Sequence, residues 1–456
     1  MALVPWFIQL AACSKKAAFW SGYFLGAIIV LDQMFMILGL VDKWTGNLGL
    51  ALVPWILCGF LGAFYFAFVG LLVRSALMRN YLWAIPMIWA GVEVGRSFIP
   101  GLAFPWFLIS TSMTAYPALD QLAFFGTQYM IGAWVCLVNV LVAGAALGRK
   151  PASAYWVVAT AFPILSLCWY LRPVHTTPLR IAMGQPGFDM AFGDQHERDR
   201  ELAIRINRIS ELALQAHASL LVLPEGVVSE SGVPPEPSFE LFRSLPVLFG
   251  GQRGRGPVYQ TAFLFDGRNW SYADKSRLVV FGEYVPGRDY LPFLKNFNVP
   301  GGDLTPAANV ESVRLPNLVI GPMLCFEGLF YDVAHKHAEN GAQILAQMSI
   351  DDWYMGTSGP DELKDSATWR TIETGLPIVR SASLGYTLAV DQKGRTLGQL
   401  PLHTSDVLVV DVPIEKSPLR NPLRPLFPWA SGIFPFAFAG YCWLGVLRRK
   451  RRGSEC

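Results

Sequence analysis

Charge is what this chain has least of. Only 16% of its 456 residues are charged, and the 37 Lys and Arg nearly cancel the 34 Asp and Glu, leaving +3. A chain so balanced has no electrostatic footprint for nucleic acid, and none is expected as a partner. Histidine is as scarce. His335 and His337 lie two apart on an expected helix, so they do not share a face and cannot chelate one metal. There is no Cys-x-x-Cys, no zinc spacing, no GxGxxG and no GKS/T loop, so no metal, nucleotide or other cofactor is expected. No Cys-His-Asp arrangement can be assembled either. The start lacks the basic n-region and small-residue cleavage site of a secretory signal.

The seven cysteines exclude something further. Cys13, Cys58, Cys136, Cys168 and Cys442 lie in apolar stretches and Cys456 is the last residue. Cys325 is alone in the long polar middle, which therefore cannot form an internal disulfide.

What the chain has is apolar length. Hydrophobic residues make up 52% and the mean hydropathy is +0.35, too apolar for an ordinary soluble protein. Segments at 17–40, 48–73, 81–99, 121–148, 153–171 and 426–447 approach the length that crosses about 30 Å of hydrocarbon. Residues 2–14 read as half a span. Lys15-Lys16, Arg74 with Arg79, Arg149-Lys150 and the run Arg448–Arg452 mark cytoplasmic ends. Alternating the spans places all four clusters on one side and both ends of the polar middle, near Arg172 and Pro422, on the other. Arg96 runs against this rule and is expected to pair with Glu93 or sit among the outer loops. The expected division is 1–172 (about five spans and a partial one), 173–422 (extracytoplasmic), and 423–456 (one span and a basic tail).

The middle alternates strand and helix, as one α/β domain does. Strands are expected at 180–185, 219–223, 262–265, 317–324, 343–349, 381–391 and 406–412. Helices are expected at 197–218, with Leu202, Ile206, Ile209 and Leu212 on one face, at 329–340 and at 361–374; residues 229–238 form a loop.

Two of these strands end in chemistry. The run Leu318 to Leu324 stops at Cys325-Phe326-Glu327-Gly328 before a helix, a setting in which enzymes present a nucleophile. The run at 219–223 stops at Pro224-Glu225-Gly226, which would leave a carboxylate at a sheet edge, able to take a thiol proton. Lys275 could supply positive charge to a thiolate or oxyanion, and Glu283 and Glu327 are further carboxylates in apolar settings. Each also has an ordinary explanation: a core thiol, a turn carboxylate, a solvated hairpin lysine, charges pairing loops.

The order Glu225, Lys275, Cys325 resembles the Glu-Lys-Cys triad of the nitrilase superfamily. Gly282-Glu283-Tyr284-Val285-Pro286 and Cys325-Phe326-Glu327 are similar to the apolipoprotein N-acyltransferase family, as are Trp89, Glu93, Arg96, Phe104-Pro105-Trp106, Pro117 and Gly126 in the apolar part. The tract through Asp352-Trp353-Tyr354, Ser358-Gly359-Pro360, Arg370, Glu373, Gly375, Pro377, Arg380 and Gly385 follows the same pattern.

The resemblance implies a multi-span helical membrane domain with a nitrilase-like α-β-β-α sandwich outside the cytoplasm. It also implies a multi-pass protein of the bacterial inner (plasma) membrane, catalytic domain periplasmic, monomeric. The reaction would move an acyl chain from a membrane phospholipid, through a Cys325 thioester, to the α-amino group of a diacylated lipoprotein. Glu225 would be the base, Lys275 would hold the tetrahedral intermediate, and Glu283 and Glu327 would orient them. Trp353, Tyr354, Tyr284 and Phe326 are expected at the substrate, and 284–305, with Tyr290, Phe293 and Phe297, as a flap touching the bilayer. A membrane-tethered amidase or hydrolase, or another amine acceptor, is the alternative.

The chain departs from the family at Leu223 (usually Trp), Gln260 (usually Asn), Asp361-Glu362-Leu363 (usually Gln-His-Leu) and Ala382-Ser383-Leu384 (usually Thr-Asn-Asn/Thr). It also begins where the family's second span is expected.

Overall fold

The computed structural model describes residues 1–101, 103–227, 244–254, 256–288, 290, 292, 299 and 301–453, with only the backbone for 446–453. The expected 229–238 loop, Phe293 and Phe297 lie outside the described residues, as do the side chains of the basic run from Arg448.

Seven helices come first: α1 Val4–Ala12, α2 Lys15–Gln33, α3 Phe35–Thr45, α4 Leu48–Met78, α5 Ala84–Phe98, α6 Ala123–Ala146 and α7 Ser153–Tyr170. By length and apolarity α4, α6 and α7 can each cross a membrane, and α2 with α3 makes a fourth span if counted as one despite its 45° bend. The apolar stretch at 81–99 yields the shorter α5, of 15 residues. The bend at Met34 has a visible cause. The Leu31 carbonyl accepts the Trp55 indole N–H at 2.8 Å, drawing it out of the helical ladder. In α6 the break falls at Gly126–Thr127. Gln128 N–H, freed there, donates to Glu373 Oε1 at 2.8 Å.

The α/β part holds β1 Thr177–Gln185, α8 Gln195–Gln215, β2 Leu220–Val222, β3 Val247–Arg253, β4 Tyr259–Phe265 and β5 Trp270–Asp274. It continues with β6 Val313–Leu315, β7 Leu318–Leu324, α9 Tyr331–Glu339, β8 Ile344–Ser349 and α10 Gly359–Thr374. Last come β9 Ile378–Ala382, β10 Leu388–Val390, β11 Thr396–Gln399 and β12 Asp406–Ile414, before the final helix α11 Leu426–Gly453. The single strand expected at 381–391 is two, β9 and β10, because the chain turns back between them and pairs antiparallel, Leu388 with Arg380.

Among the described residues the strands form two six-stranded sheets, β12-β1-β2-β3-β4-β5 and β11-β10-β9-β8-β7-β6. Ile181, Val222, Leu248 and Leu264 of one sheet meet Ile320, Ala346, Met348 and Val379 of the other in an apolar core between them. Helix α8 covers the outer face of the first sheet through Leu202, Ile206 and Ile209. Leu212 is only half-buried, while Ala213 completes that face. Helices α9 and α10 cover the second sheet through Val333, Ala334, Leu363 and Ala367. The result is the expected α-β-β-α sandwich. Strands β1 and β12 pair along their whole length, Thr177 opposite Ile414, so the chain enters and leaves this unit at one place.

Contacts between the helical and α/β parts are polar as well as apolar. Glu362 accepts Phe107 N–H at 2.8 Å and the Thr111 hydroxyl at 3.3 Å. Arg424 reaches the Phe124 carbonyl and His335 Nδ1, and Lys393 donates to the Arg172 carbonyl. Lys43, at the end of α3, pairs with Asp189 at 2.8 Å.

Candidate active site

Strands β2, β5 and β7 end at the same edge of the sandwich, and each hands its next residues to one cluster. After β2 the chain turns through Pro224 and Glu225. The Pro224 carbonyl accepts Gly250 N–H from β3 at 3.1 Å. A side chain at Gly250 would collide with the Glu225 backbone, so that strand needs glycine there. After β5, Lys275 stays in register by donating its N–H to the Gln260 carbonyl at 2.7 Å. After β7, Cys325 takes φ +46°, in the left-handed region that a side chain disfavours by about 1 kcal/mol or more. This sharp turn lifts the thiol out of the strand. Arg370, from α10, clamps it by donating to the Leu329 carbonyl at 2.7 Å.

Lys275 Nζ lies 3.1 Å from Glu225 Oε1 and 2.7 Å from Glu283 Oε1. Glu225, Lys275 and Cys325 are 4%, 1% and 5% exposed, so the cluster is closed off from water. Burial pushes the Glu225 carboxyl up to about 7, against the pull of Lys275. Burial, then the charge of Glu225, pushes the Cys325 thiol up to about 12, with Lys275 opposing. Burial alone would lower the Lys275 ammonium, but Glu225, Glu283 and Cys325 outweigh it and hold it well above its ordinary value. The resting arrangement is therefore a neutral thiol beside a charged lysine and a carboxylate poised near neutrality.

Glu327 does not touch Lys275. Its Oε1 accepts Ser276 N–H at 2.7 Å and the Ser276 hydroxyl at 2.8 Å, and its Oε2 accepts Leu324 N–H at 3.0 Å. It ties the β5 end to the β7 end. Phe326 meets Phe330 edge-on and Phe104 at a tilt, and Tyr354 packs edge-on to buried Trp106 at 5.3 Å. Trp353 meets Phe192 instead, at 5.0 Å. The Tyr284 carbonyl accepts Phe281 N–H at 2.8 Å. Tyr290 is 87% exposed.

Gln347, Ile350 and Asp351 came to light only in the structure. Gln347 donates to the Cys325 carbonyl at 3.2 Å, and the Cys325 thiol points at the Ile350 carbonyl, 4.0 Å away. Behind them Asp351 is bound by Arg380 at 2.7 and 2.8 Å, both fully buried. Asp352 accepts Met190 and Ala191 N–H and the Ser383 hydroxyl. Among the described residues no group of three His, Cys, Asp or Glu could hold a metal ion. A cavity of about 520 Å³ opens between Thr111, Lys364 and Arg395, away from the triad.

One apolar cluster joins this site to the helices. Val30, Met34 and Met36 of the α2–α3 bend share it with Trp106, Met323, Phe326, Leu329 and Tyr354.

Two family profiles match the chain. The "Apolipoprotein N-acyltransferase N-terminal domain" matches residues 1–141 and the "Carbon-nitrogen hydrolase" matches 245–417. An apolipoprotein N-acyltransferase of Geobacter metallireducens is 28% identical, covering 92% of this chain and 87% of that one. One of Gloeobacter violaceus is 27% identical, covering 87% and 80%. A solved carbon-nitrogen hydrolase from Helicobacter pylori G27 aligns with 52% of this chain and 89% of its own at 16% identity, with a TM-score of 0.39. One profile falls on the helical part, the other on the sandwich, and the relatives run through both: the chain belongs to the apolipoprotein N-acyltransferase family, with a nitrilase-superfamily catalytic domain.

Proposed function

We propose that this acyltransferase moves a fatty acyl chain from a membrane phospholipid to the α-amino group of the lipidated N-terminal cysteine of a lipoprotein, with Cys325 as the nucleophile. The observation that carries the reading is the closed Glu225–Lys275–Cys325 cluster, set against apolar residues shared with the α2–α3 bend. A thiol, a base and a cation together perform acyl transfer, and the apolar wall offers a lipid chain a dry approach.

Glu225 takes the Cys325 thiol proton as sulfur attacks the ester carbonyl. With the thiol held near 12, transfer and attack proceed together, leaving no free thiolate at rest. The oxyanion forms beside Lys275 Nζ. It collapses to a Cys325 thioester, and the departing lysophospholipid oxygen takes the proton back from Glu225. An amine then attacks the thioester, Glu225 accepts its proton, and the thiolate leaves and is reprotonated. Glu283 keeps Lys275 in place, and Glu327 fixes the two strand ends.

The side facing the cytoplasm is inferred from positive charge. Arg74 bonds the Cys13 carbonyl next to Lys15, and Arg149 bonds the Leu77 carbonyl, which gathers these clusters at one end of the bundle. The sandwich then lies outside the cytoplasm, in the periplasm of a cell with two membranes. The protein acts as a monomer in the inner membrane.

Intact-mass measurement of the purified protein mixed with phospholipid tests this. The expected result is an acyl-mass adduct that hydroxylamine removes and that Cys325→Ala lacks. No adduct, or one that survives in Cys325→Ala, refutes the reading. An adduct that turns over in water without any amine acceptor makes the protein a hydrolase instead.

A further inference from the structure

The parallel register pairs Leu324 with Met348, so the next residues, Cys325 and Ser349, come together at the edge where β7 and β8 end. Ser349 is fully buried, and the Cys325 sulfur lies 4.0 Å from the carbonyl of the next residue, Ile350, which puts the thiol at the same strand end as the Ser349 hydroxyl. The same hydroxyl donates to Asp351 Oδ1 at 2.6 Å. As a partner for Asp351 it is superfluous, because Arg380 Nη2 already binds both carboxylate oxygens. Gly385 shows how closely this pair is built in. A methyl group there would overlap the Asp351 carboxylate.

Among the described residues, the cation acting on the sulfur is Lys275. Of the charged groups facing it, Glu225 and Asp351 are negative and Lys275 is positive. Lys275 is already shared between Glu225 and Glu283, and Tyr354 faces the site as a neutral group. A neutral donor would stabilise a thiolate without adding a charge that competes for Glu225.

We propose that Ser349 is a catalytic residue: its hydroxyl hydrogen turns from Asp351 to the Cys325 sulfur as the thiolate forms, and turns back when the thiol is restored. The proposal rests on Cys325 being the nucleophile of the transfer described above. A hydroxyl has one hydrogen and two lone pairs, so it can accept from the thiol at rest and donate to the thiolate later. One proton changes owner, from sulfur to the Glu225 carboxylate. The Ser349 proton stays on its own oxygen, and Asp351 stays neutralised by Arg380 throughout.

The test uses the full-length protein in detergent micelles. The first reading is the pH dependence of iodoacetamide alkylation at Cys325, by intact mass, with Cys325→Ala subtracting the other cysteines. The second is the rate of acyl-enzyme formation from a diacyl phospholipid. Ser349→Ala should move the alkylation curve about one pH unit towards alkali and slow acylation about ten- to a hundred-fold, the loss of one charge-assisted hydrogen bond. Ser349→Cys, of similar volume but a weaker donor, should fall between, and it decides the question if Ser349→Ala does not fold. An alkylation curve that coincides with wild type in the folded variant overturns the proposal. Wild type that alkylates at Cys325 but never acylates refutes the acyl-transfer reading instead, and the alkylation curves alone then judge Ser349.

Discussion

Glu283→Gln should shift the pH at which the acyl-enzyme forms. The carboxylates of Glu225 and Glu283 lie 3.1 and 2.7 Å from one nitrogen, so their nearest oxygens are no more than about 6 Å apart. Two like charges at that distance repel by about 3 kcal/mol at an effective dielectric of about 20. That is about two pH units on the Glu225 carboxyl, and the ammonium between them reduces it to about one to two. Glu225 stands near 7 in part because Glu283 raises it. In wild type the acylation rate should climb about tenfold per pH unit below neutrality and level off above about 7. In Glu283→Gln the climb should finish about one to two units lower. The plateau should fall about ten-fold or more, because Lys275 Nζ and Val279 N–H use different Glu283 oxygens and the amide replaces one of them with an NH2 donor. The assay is quench-flow followed by intact-mass counting of acylated Cys325, from about pH 5 to about pH 9. A climb that stays in place or moves towards alkali would refute the argument, because Glu225 would then not be the group that titrates.

Lys275→Met leaves Glu225 and Glu283 buried without their cation, at about 3–5 kcal/mol, and should abolish acylation; denaturant unfolding and the intact-mass assay check both. Gly385→Ala forces Asp351 off Arg380 and should lower the melting temperature by several degrees, whereas Gly39→Ala, which meets open space, should not. Outside the helices that could span a membrane, burial raises Glu225, Asp352 and Glu362 to about 7 and Asp365 to about 6. Between their ordinary values near 4 and these raised ones the folded chain binds more protons than the unfolded chain, so stability falls as pH rises through that window. Thermal melts should therefore be higher near pH 5 than near pH 8, and Asp352→Asn should narrow the gap; a rise in stability with pH would contradict this.

The parts of the site that could be read in the sequence are those where an apolar run stops at a reactive residue. Leu220–Val222 ahead of Glu225 and Leu318–Leu324 ahead of Cys325 are local signals, and both became strands. Lys275 was ambiguous, because a hairpin lysine is usually solvated. Its burial depends on Glu225 and Glu283, which no local pattern links to it. Strand β3 was missed because Gly250 and Gly251 weaken its strand pattern, though Gly250 makes room for Glu225. The bend at Met34 has no Pro or Gly to announce it; its cause, Trp55, lies two turns into another helix. The departures from the family sequence became clearer in three dimensions. Glu362 holds the Phe107 loop beside the Trp106 wall, and Ser383 holds Asp352.

The pairing of Thr177 with Ile414 has a mechanical consequence. The sandwich is tethered twice, to α7 and to α11, yet both tethers leave from neighbouring strands. Two cords tied to one point let a body swing as one cord does. Its aim at the bilayer is therefore set by what it leans on: Glu362 against the Phe107 loop, Glu373 against the broken start of α6, Arg424 against Phe124, and Asp189 against Lys43. Three of those props rest on one helix, α10, or on the segment entering α11, and the fourth stands on α3. Loosening them would leave the Glu225–Lys275–Cys325 cluster assembled but facing the wrong way.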